Sequence, residues 1–338
     1  MIRSSELDHT FVEEIMAEPG GEHLLTCWSC GTCAATCLVR RYEPGFNPRM
    51  VLHKAGLGLR DEVLCCAEIW QCSACDACYP RCPKQIHISE VMKAIRNIAI
   101  REGYEAPGPV AVVDEMLCSG CAVCTRACPY GAIDRAPKLV NGEERTIAQV
   151  NRNLCLHCGI CVAVCPTGAM SLEVFSDQEL ITRMGAGGWL EQKGYLQGGA
   201  SEPRILAFVC QWTIRSDTEW NKLAPFGDRV RVVNLPCSGR VDPEMILLAL
   251  TQGADGVLVV GCKEGECHYQ RGTYLGRGKL ALLSQILDQV GIPSVRVRFA
   301  ELGALDRFAL PRLINSMSED IKASATPRPE RAAVTAIA

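Results

Sequence analysis

The chain has no apolar run long enough to cross a membrane. A spanning helix takes roughly 18–20 apolar residues, and the longest run here, around Gly256–Gly261, is strand-sized. The N-terminal MIRSSELDHTFVEEI is charged, and no apolar signal core is expected in it. Excess charge of either sign is small, with a formal net charge of −3 over 338 residues, so no basic field recruits nucleic acid. A nucleotide fingerprint is missing as well. The nearest stretch, Gly185-Ala-Gly-Gly-Trp189, lacks the Gly-x-Gly-x-x-Gly spacing and does not follow a strand. These absences argue against a transmembrane protein, a nucleic-acid binder and a chain that holds its own flavin. The remainder is ordinary soluble composition, 48% hydrophobic and 22% charged, over a length that suggests two or three domains.

The one excess is cysteine, 22 residues in all. Sixteen fall into four copies of one spacing, C-x2-C-x2-C-x3-C: Cys27-Cys30-Cys33-Cys37, Cys72-Cys75-Cys78-Cys82, Cys118-Cys121-Cys124-Cys128 and Cys155-Cys158-Cys161-Cys165. Proline follows the last three copies, at Pro83, Pro129 and Pro166. This is the bacterial-ferredoxin pattern for cubane [4Fe–4S] clusters, in which three thiolates of one loop hold a cube and the fourth reaches a neighbouring cube. Four cubanes in two pairs are expected. By the crossed rule Cys118, Cys121, Cys124 and Cys165 hold one, and Cys155, Cys158, Cys161 and Cys128 its neighbour. By analogy Cys27, Cys30, Cys33 and Cys82 hold a third, and Cys72, Cys75, Cys78 and Cys37 a fourth.

Structural zinc also uses C-x2-C pairs, but it does not call for a third cysteine at x2 and a fourth at x3. Disulfide scaffolds are typically small and secreted, whereas this chain is long enough to bury ordinary cores. Free thiols on this scale imply a reducing compartment, hence a cytoplasmic location. Each oxidised cubane carries about −2, so backbone N–H groups and nearby Lys or Arg must stabilise the sulfurs.

Along the chain the expected fold is a multidomain α+β arrangement. Residues 1–107 read as a helical module with two embedded cluster loops. A helix is predicted over Asn47–Gly56, with Asn47 as cap and Pro48 at its first position. Another is predicted over Ser89–Arg101, with Ser89 as cap and Val91, Ile95, Ile98 and Ala99 on one face. Residues 110–174 repeat one plan twice, strand, cysteine loop, Pro-x-Gly-Ala, strand, and predict a ferredoxin-like (βαβ)2 domain. Residues 175–203 read as a linker, in which Ser176–Glu179 opens a short helix by a capping box. Residues 204–322 alternate apolar strands, Ile205–Val209, Val230–Leu235, Val257–Val260 and Val295–Phe299, with helices over Pro243–Gln252 and Lys279–Val290. They predict a doubly wound parallel α/β sheet. Residues 323–338 read as a disordered tail.

Six cysteines remain. Cys210, Cys237 and Cys262 sit at the C-terminal ends of predicted strands, and Cys267 lies five residues past Cys262. In an open parallel sheet those ends meet at one crevice, so the four predict a tetrathiolate site, with Gly239, Gly261 and Gly265 permitting close backbone approach. Cys65 and Cys66 read as incidental thiols. His268 reads as a structural or supporting residue rather than a ligand, since four thiolates complete the site.

These residues carry a resemblance. The stretches Leu25-Thr-Cys-Trp-Ser-Cys-Gly-Thr-Cys and Ile69-Trp-Gln-Cys-Ser-Ala-Cys-Asp-Ala-Cys-Tyr-Pro-Arg-Cys-Pro resemble the C subunit of heterodisulfide reductase. The middle resembles a bacterial two-cluster ferredoxin. The C-terminal third is similar to the D subunit of methyl-viologen-reducing hydrogenase, through Phe208-Val-Cys-Gln-Trp, Pro236-Cys-Ser-Gly-Arg-Val-Asp-Pro-Glu and Gly261-Cys-Lys-Glu-Gly-Glu-Cys-His-Tyr. The resemblance implies a [2Fe–2S] cluster in that last module. The family's first motif normally reads Cys-x-Trp-Cys, where this chain has Cys210-Gln-Trp-Thr213.

The resemblance further implies a wiring role: an iron–sulfur electron-transfer subunit of a cytoplasmic redox complex in anaerobic metabolism. Its partners would be a heterodisulfide-reductase-A-like flavoprotein carrying FAD, in a bifurcating complex, and further redox subunits. Those further subunits would be heterodisulfide-reductase-B-like, a hydrogenase, a formate dehydrogenase or another reductase. Two other functions are weighed against it. A stand-alone reductase of a disulfide or small molecule would need an incomplete cluster motif, and all four are complete. A redox or iron sensor would need a labile cluster and an output surface such as a basic DNA-binding helix.

Overall fold

The computed structural model describes residues 7–198, 200–213, 226–303, 306 and 309–324. The expected tail thus falls, beyond Ser324, outside the described residues. The chain divides into two compact units, Met1–His157 with Glu266–Gln270, and Cys158–Gly265 with Arg271–Ala338.

The first unit begins as a helical module. Helix α1 (His9–Ala17) starts where the Asp8 carboxylate accepts from the Thr10 and Phe11 N–H groups, at 2.9 and 3.2 Å. Helix α2 (Pro48–Gly56) starts as the sequence predicts, with Pro48 in its first turn and the Asn47 side chain accepting from Met50 N–H at 3.4 Å. Helix α3 (Ile88–Arg101) buries Val91, Ile95, Ile98 and Ala99 on one face. Its cap differs from expectation. His87 occupies the cap position without a side-chain bond, and Ser89 lies inside the first turn. The Ser89 hydroxyl donates to the Asp76 carboxylate instead, tying α3 to the second cysteine loop. Phe11, Ile15, Leu52, Ile69, Ile86 and Met92 form the core of this module. Burying one such side chain contributes about 1.5–3 kcal/mol.

Three strands complete the described sheet structure of the first unit: β1 (Ala111–Val113), β2 (Ile133–Val140) and β3 (Glu143–Val150). Strands β2 and β3 form an antiparallel hairpin with Val140 opposite Glu143. The two-residue turn is Asn141-Gly142, both at positive φ (52° and 82°). That is the type I′ geometry, whose twist suits the flanking strands.

The second unit holds β4 (Met170–Leu172), helix α4 (Asp177–Gly185) and a four-stranded parallel sheet. Its strands are β5 (Ile205–Cys210), β6 (Val230–Leu235), β7 (Gly256–Cys262) and β8 (Val297–Leu302), in the order β6-β5-β7-β8. Every residue of β5 and β7 is buried. Helices α5 (Pro243–Thr251) and α6 (Gly272–Gln289) cover one face, against Leu206, Phe208, Val257 and Val259. Helix α7 (Leu310–Ala323) covers the other, against Ile205, Ala207, Leu258 and Val260. Alternate residues of one strand therefore serve two cores, which is why the strands read as unbroken apolar runs.

The stretch expected as a linker is packed. Leu180, Met184, Trp189 and Leu190 belong to the α5–α6 core, and Trp189 Nε1 donates to Asp228 O at 2.6 Å. Ser176 caps α4 by accepting from Glu179 N–H at 3.2 Å, while Glu179 reaches back to Phe175 N–H, one residue before the cap. Among the described residues, no helix is long and apolar enough to cross a membrane.

Candidate metal centres

The four cysteine loops share one backbone conformation. In each, the residue before the second cysteine and the residue after it have positive φ. The pairs are Ser29 and Gly31 (50° and 86°), Ala74 and Asp76 (both 54°), Gly120 and Ala122 (69° and 63°), and His157 and Gly159 (54° and 77°). Five of the eight are not glycine. A non-glycine residue in the left-handed region costs roughly 1–2 kcal/mol, and such strain persists where surrounding structure imposes it, typically at functional sites. Alternating handedness turns successive N–H groups to one side, making a concavity that favours anions, as at phosphate and iron–sulfur sites.

Within the first unit the thiols of the first two loops face one another. Burial, countered in part by the Ala34 N–H, pushes the Cys33 thiol up to about 11, and Cys27, Cys30 and Cys82 add to the rise. Cys37 is raised first by burial and also by Cys75 and Cys33. Cys78 is raised by burial, then by Cys72, Cys75, Cys33 and Cys37. Cys37, the last of its loop, therefore stands near Cys72, Cys75 and Cys78, and Cys82 stands near Cys33. Burial pushes Cys72 up to about 11, and the half-buried Arg96 opposes the rise. Arg96 also donates to Cys72 O at 3.4 Å. Binding metal must displace these protons, so the affinity of such a site rises with pH. In the third loop, Ala148 N–H points to Cys118 Sγ at 3.5 Å, and Arg145 donates to Cys118 O at 2.8 Å. There β3 braces the loop. Cys158 and Cys161 are buried in the second unit, with Cys165 partly exposed.

Among the described residues, no three Cys, His, Asp or Glu side chains gather round a single-ion position. A cage with metal at its corners requires its ligand sulfurs spread around it. All-thiolate donors in this spacing fit iron–sulfur cages.

The second unit places three further thiols at the strand ends, two of them close to each other. Cys210 ends β5, Cys262 ends β7 and Cys237 follows β6 by two residues, all buried. The chain passes from β5 to β6 on one side and returns to β7 on the other, so β5 and β7 flank the switch point of the sheet. Cys210 Sγ and Cys262 Sγ lie 3.7 Å apart there. Two thiolates about 2.3 Å from one tetrahedral metal are separated by about that distance. Cys237 Sγ accepts from Gly239 N–H at 3.4 Å.

Two of the three glycines expected to permit close approach do so. A Cβ on Gly261 would lie 2.8 Å from Ser238 Oγ, and one on Gly239 would lie 3.1 Å from the Gly272 backbone. Gly265 has open space around it and positive φ, so it serves a turn. The thiols sit deeper than the expected open crevice suggests. Cys210 and Cys237 are 1% exposed, because the Cys237 turn folds over the end of β7. Thr213, where the resembling family has cysteine, is buried, and its hydroxyl donates to Cys210 O at 2.7 Å.

Cys267 groups with the first unit, within Glu266–Gln270. Beside it, His268 is buried with Nδ1 3.3 Å from Ser73 Oγ, and burial pushes its imidazole down to about 3. Cys65 is exposed, and Cys66 packs at the edge of the α1–α3 core. No motif or spacing marks Arg96, Lys279 or Arg240 as neighbours of these loops. Lys279, on α6, donates to Gly239 O and Val241 O at 2.9 and 2.7 Å, and burial lowers its pKa to about 8.

Comparison with known proteins agrees with the modules. Residues 205–324 match the model of the methyl-viologen-reducing hydrogenase, delta subunit. Residues 117–169 match a 4Fe-4S dicluster domain and residues 24–40 a 4Fe-4S binding domain. The chain is 38% identical over 112 residues to the C subunit of the H(2):CoB-CoM heterodisulfide,ferredoxin reductase of Methanothermobacter thermautotrophicus, covering 33% of this chain and 60% of that relative. It is 43% identical over 99 residues to the iron-sulfur D subunit of the F420-non-reducing hydrogenase of Archaeoglobus profundus, 29% of this chain and 72% of that relative. A longer match, 32% over 248 residues, is to the A subunit of the Ferredoxin:CoB-CoM heterodisulfide reductase of Methanosarcina mazei, 71% of this chain and 29% of that relative.

Proposed function

The chain belongs to the family of the methyl-viologen-reducing hydrogenase delta subunit, and from that premise we propose that it is an electron relay built of five clusters in one polypeptide. It is an iron–sulfur subunit of a redox complex, as its relatives are named. The four loops hold cubanes in crossed pairs, with the ligand sets expected from the spacing, and Cys210, Cys237, Cys262 and Cys267 hold a [2Fe–2S] cluster. Such clusters accept and pass single electrons without proton or group transfer. The protein's part is to hold them in order and set their potentials. One observation carries this reading: the same strained pair of left-handed residues recurs in all four loops, where each makes an anion-favouring concavity. Zinc fingers need no such recurrence.

The supporting observations extend to order and partners. Cys82 near Cys33, and Cys37 near Cys72, Cys75 and Cys78, support crossing in the first pair. The Cys210–Cys262 separation supports a shared metal at the strand ends. Likeness to a reductase C subunit at one end and a hydrogenase D subunit at the other supports a chain that joins two arms of one complex. Its partner in this reading is a flavin-bearing protein of the reductase-A kind, in a complex that bifurcates electrons and works in the cytoplasm; likeness of 71% of the chain to part of one such subunit supports membership of that class of complex. Anaerobic analysis tests the cluster count. Four cubanes and one two-iron cluster need about 18 irons per chain, with matching sulfide. A value near eight overturns the five-cluster reading.

A further inference from the structure

We propose that Arg240 is a positioning residue for the cluster of the fourth cysteine loop, supplying charge and N–H donors to it and so raising its potential. The inference rests on the reading that Cys158 and Cys161 hold a cubane. Arg240 stands three residues past Cys237, in a one-turn segment, Ser238–Arg240, and its side chain is fully buried. One nitrogen, Nη2, donates to Phe175 O at 3.2 Å and pairs with the Asp177 carboxylate. The other two, Nε and Nη1, have no acceptor among the described residues. Asp177 is 56% exposed, so solvent screens it as a counter-charge. A buried guanidinium with two donors unmet is expensive unless something else accepts them.

The acceptor is found by asking what the side chain lies against. A Cβ on Gly159 would fall 2.4 Å from Arg240 Cδ and 3.0 Å from Cγ. Gly159 follows Cys158 and is one of the two left-handed residues of its loop. A Cβ on Gly239 would fall 3.0 Å from Ile160 Cγ1. The Ser238–Arg240 turn therefore lies flat on the Cys158–Cys161 loop, pinned from α6 by Lys279. A cubane of about −2 charge would meet the two unpaired nitrogens and add the buried counter-charge that the exposed Asp177 supplies only in part. Positive charge and N–H donors favour the more negative, reduced cluster, which raises its potential. The same turn carries Cys237, so one short segment joins the strand-end thiols to the fourth loop, as a relay between two centres requires.

The test is an anaerobic redox titration of the full-length, cluster-loaded protein, followed by EPR. Arg240→Met removes charge and donors, and one cubane should become about tenfold harder to reduce, 59 mV for one electron. Arg240→Lys keeps the charge and should shift less. Asp177→Asn removes the opposing carboxylate and should move the same cluster the other way. Iron and sulfide equal to wild type show that loading is intact. Fully loaded Arg240→Met with every potential at its wild-type value overturns the inference, as does an equal fall in all clusters. If Arg240→Met loads poorly, unchanged potentials in both other variants overturn it. Wild-type protein without a cubane on this loop overturns the underlying reading. A loaded wild type with unshifted variants overturns only the inference.

Discussion

Gly261→Ala should empty the strand-end site while leaving the cubanes in place. The added Cβ would stand 2.8 Å from both Phe299 Cζ and Ser238 Oγ, where ordinary contact begins at 3.4 Å. Something must move by about 0.6 Å. Phe299 packs against the α5–α6 core, whereas Ser238 sits on a turn held by polar bonds, Lys279 to Gly239 O and Val241 O and Arg240 to Phe175 O and Asp177, so the turn gives way and takes Cys237 with it. Metal–thiolate distances are held to within about 0.2 Å, so a shift of that size breaks the ligand set. Overpacking itself costs about 1–3 kcal/mol, which calls for a matched control. Gly256→Ala lies on the same strand at the opposite end, where a Cβ would fall 2.6 Å from Ile321 Cδ1 and 2.7 Å from Met317 Cε. It overpacks the α7 core without touching a thiol. Both variants should unfold earlier in urea, but only Gly261→Ala should lose about two irons and the [2Fe–2S] EPR signal. Equal iron in the two variants, or equal loss, refutes the argument that the turn is the soft side of the contact.

Three further outcomes are expected. Asp255 is buried and accepts from the N–H groups of Tyr195, Leu196 and Arg204 at 2.6, 2.8 and 2.8 Å. Asp255→Ala strands three donors at about 1–3 kcal/mol each, so it should lower stability by several kcal/mol; a urea midpoint within error of wild type would contradict this. Gly142→Ala puts a side chain at φ 82° in the β2–β3 turn and should cost roughly 1–2 kcal/mol with iron content unchanged; lost iron would mean the hairpin braces the third loop more directly. Cys82→Ser should disturb the cubane of the first loop rather than that of its own. Mössbauer or EPR signatures matching those of Cys78→Ser would instead mean that each loop closes on itself.

The sheet of the second unit was legible because β5 and β7 are covered on both faces and so read as continuous apolar runs. Strand β8 starts at Val297 rather than Val295, since Ser294–Arg296 forms a one-turn helical segment after Pro293. Helix α6 starts at Gly272, well before the expected Lys279. Gly276 and Gly278 look like breakers, yet Gly276 is there because a Cβ would stand 3.0 Å from Ser238 O. Tertiary packing, not helix propensity, chose that residue. The cysteine spacing announced the thiols but not the left-handed pairs between them, because Ser29, Ala74, Asp76, Ala122 and His157 are not residues that advertise positive φ. Asn141-Gly142 is a readable hairpin signal, but it lies between the two halves of the repeat, whose shared plan does not include it. Ser89 looked like a cap by residue type, but Asp76 competes for its hydroxyl.

The closeness of Cys210 and Cys262 also fixes the order of events when this protein is made. At 3.7 Å between sulfurs, the two need approach by only about 1.7 Å to reach the 2.03–2.05 Å of a disulfide. Without metal, exposure to oxygen should join them and remove two ligands at once. Assembly is then a race between iron delivery and air. Protein isolated aerobically should take up iron at the strand ends only after a thiol reductant, and counting free thiols before and after that treatment measures how far the race was lost.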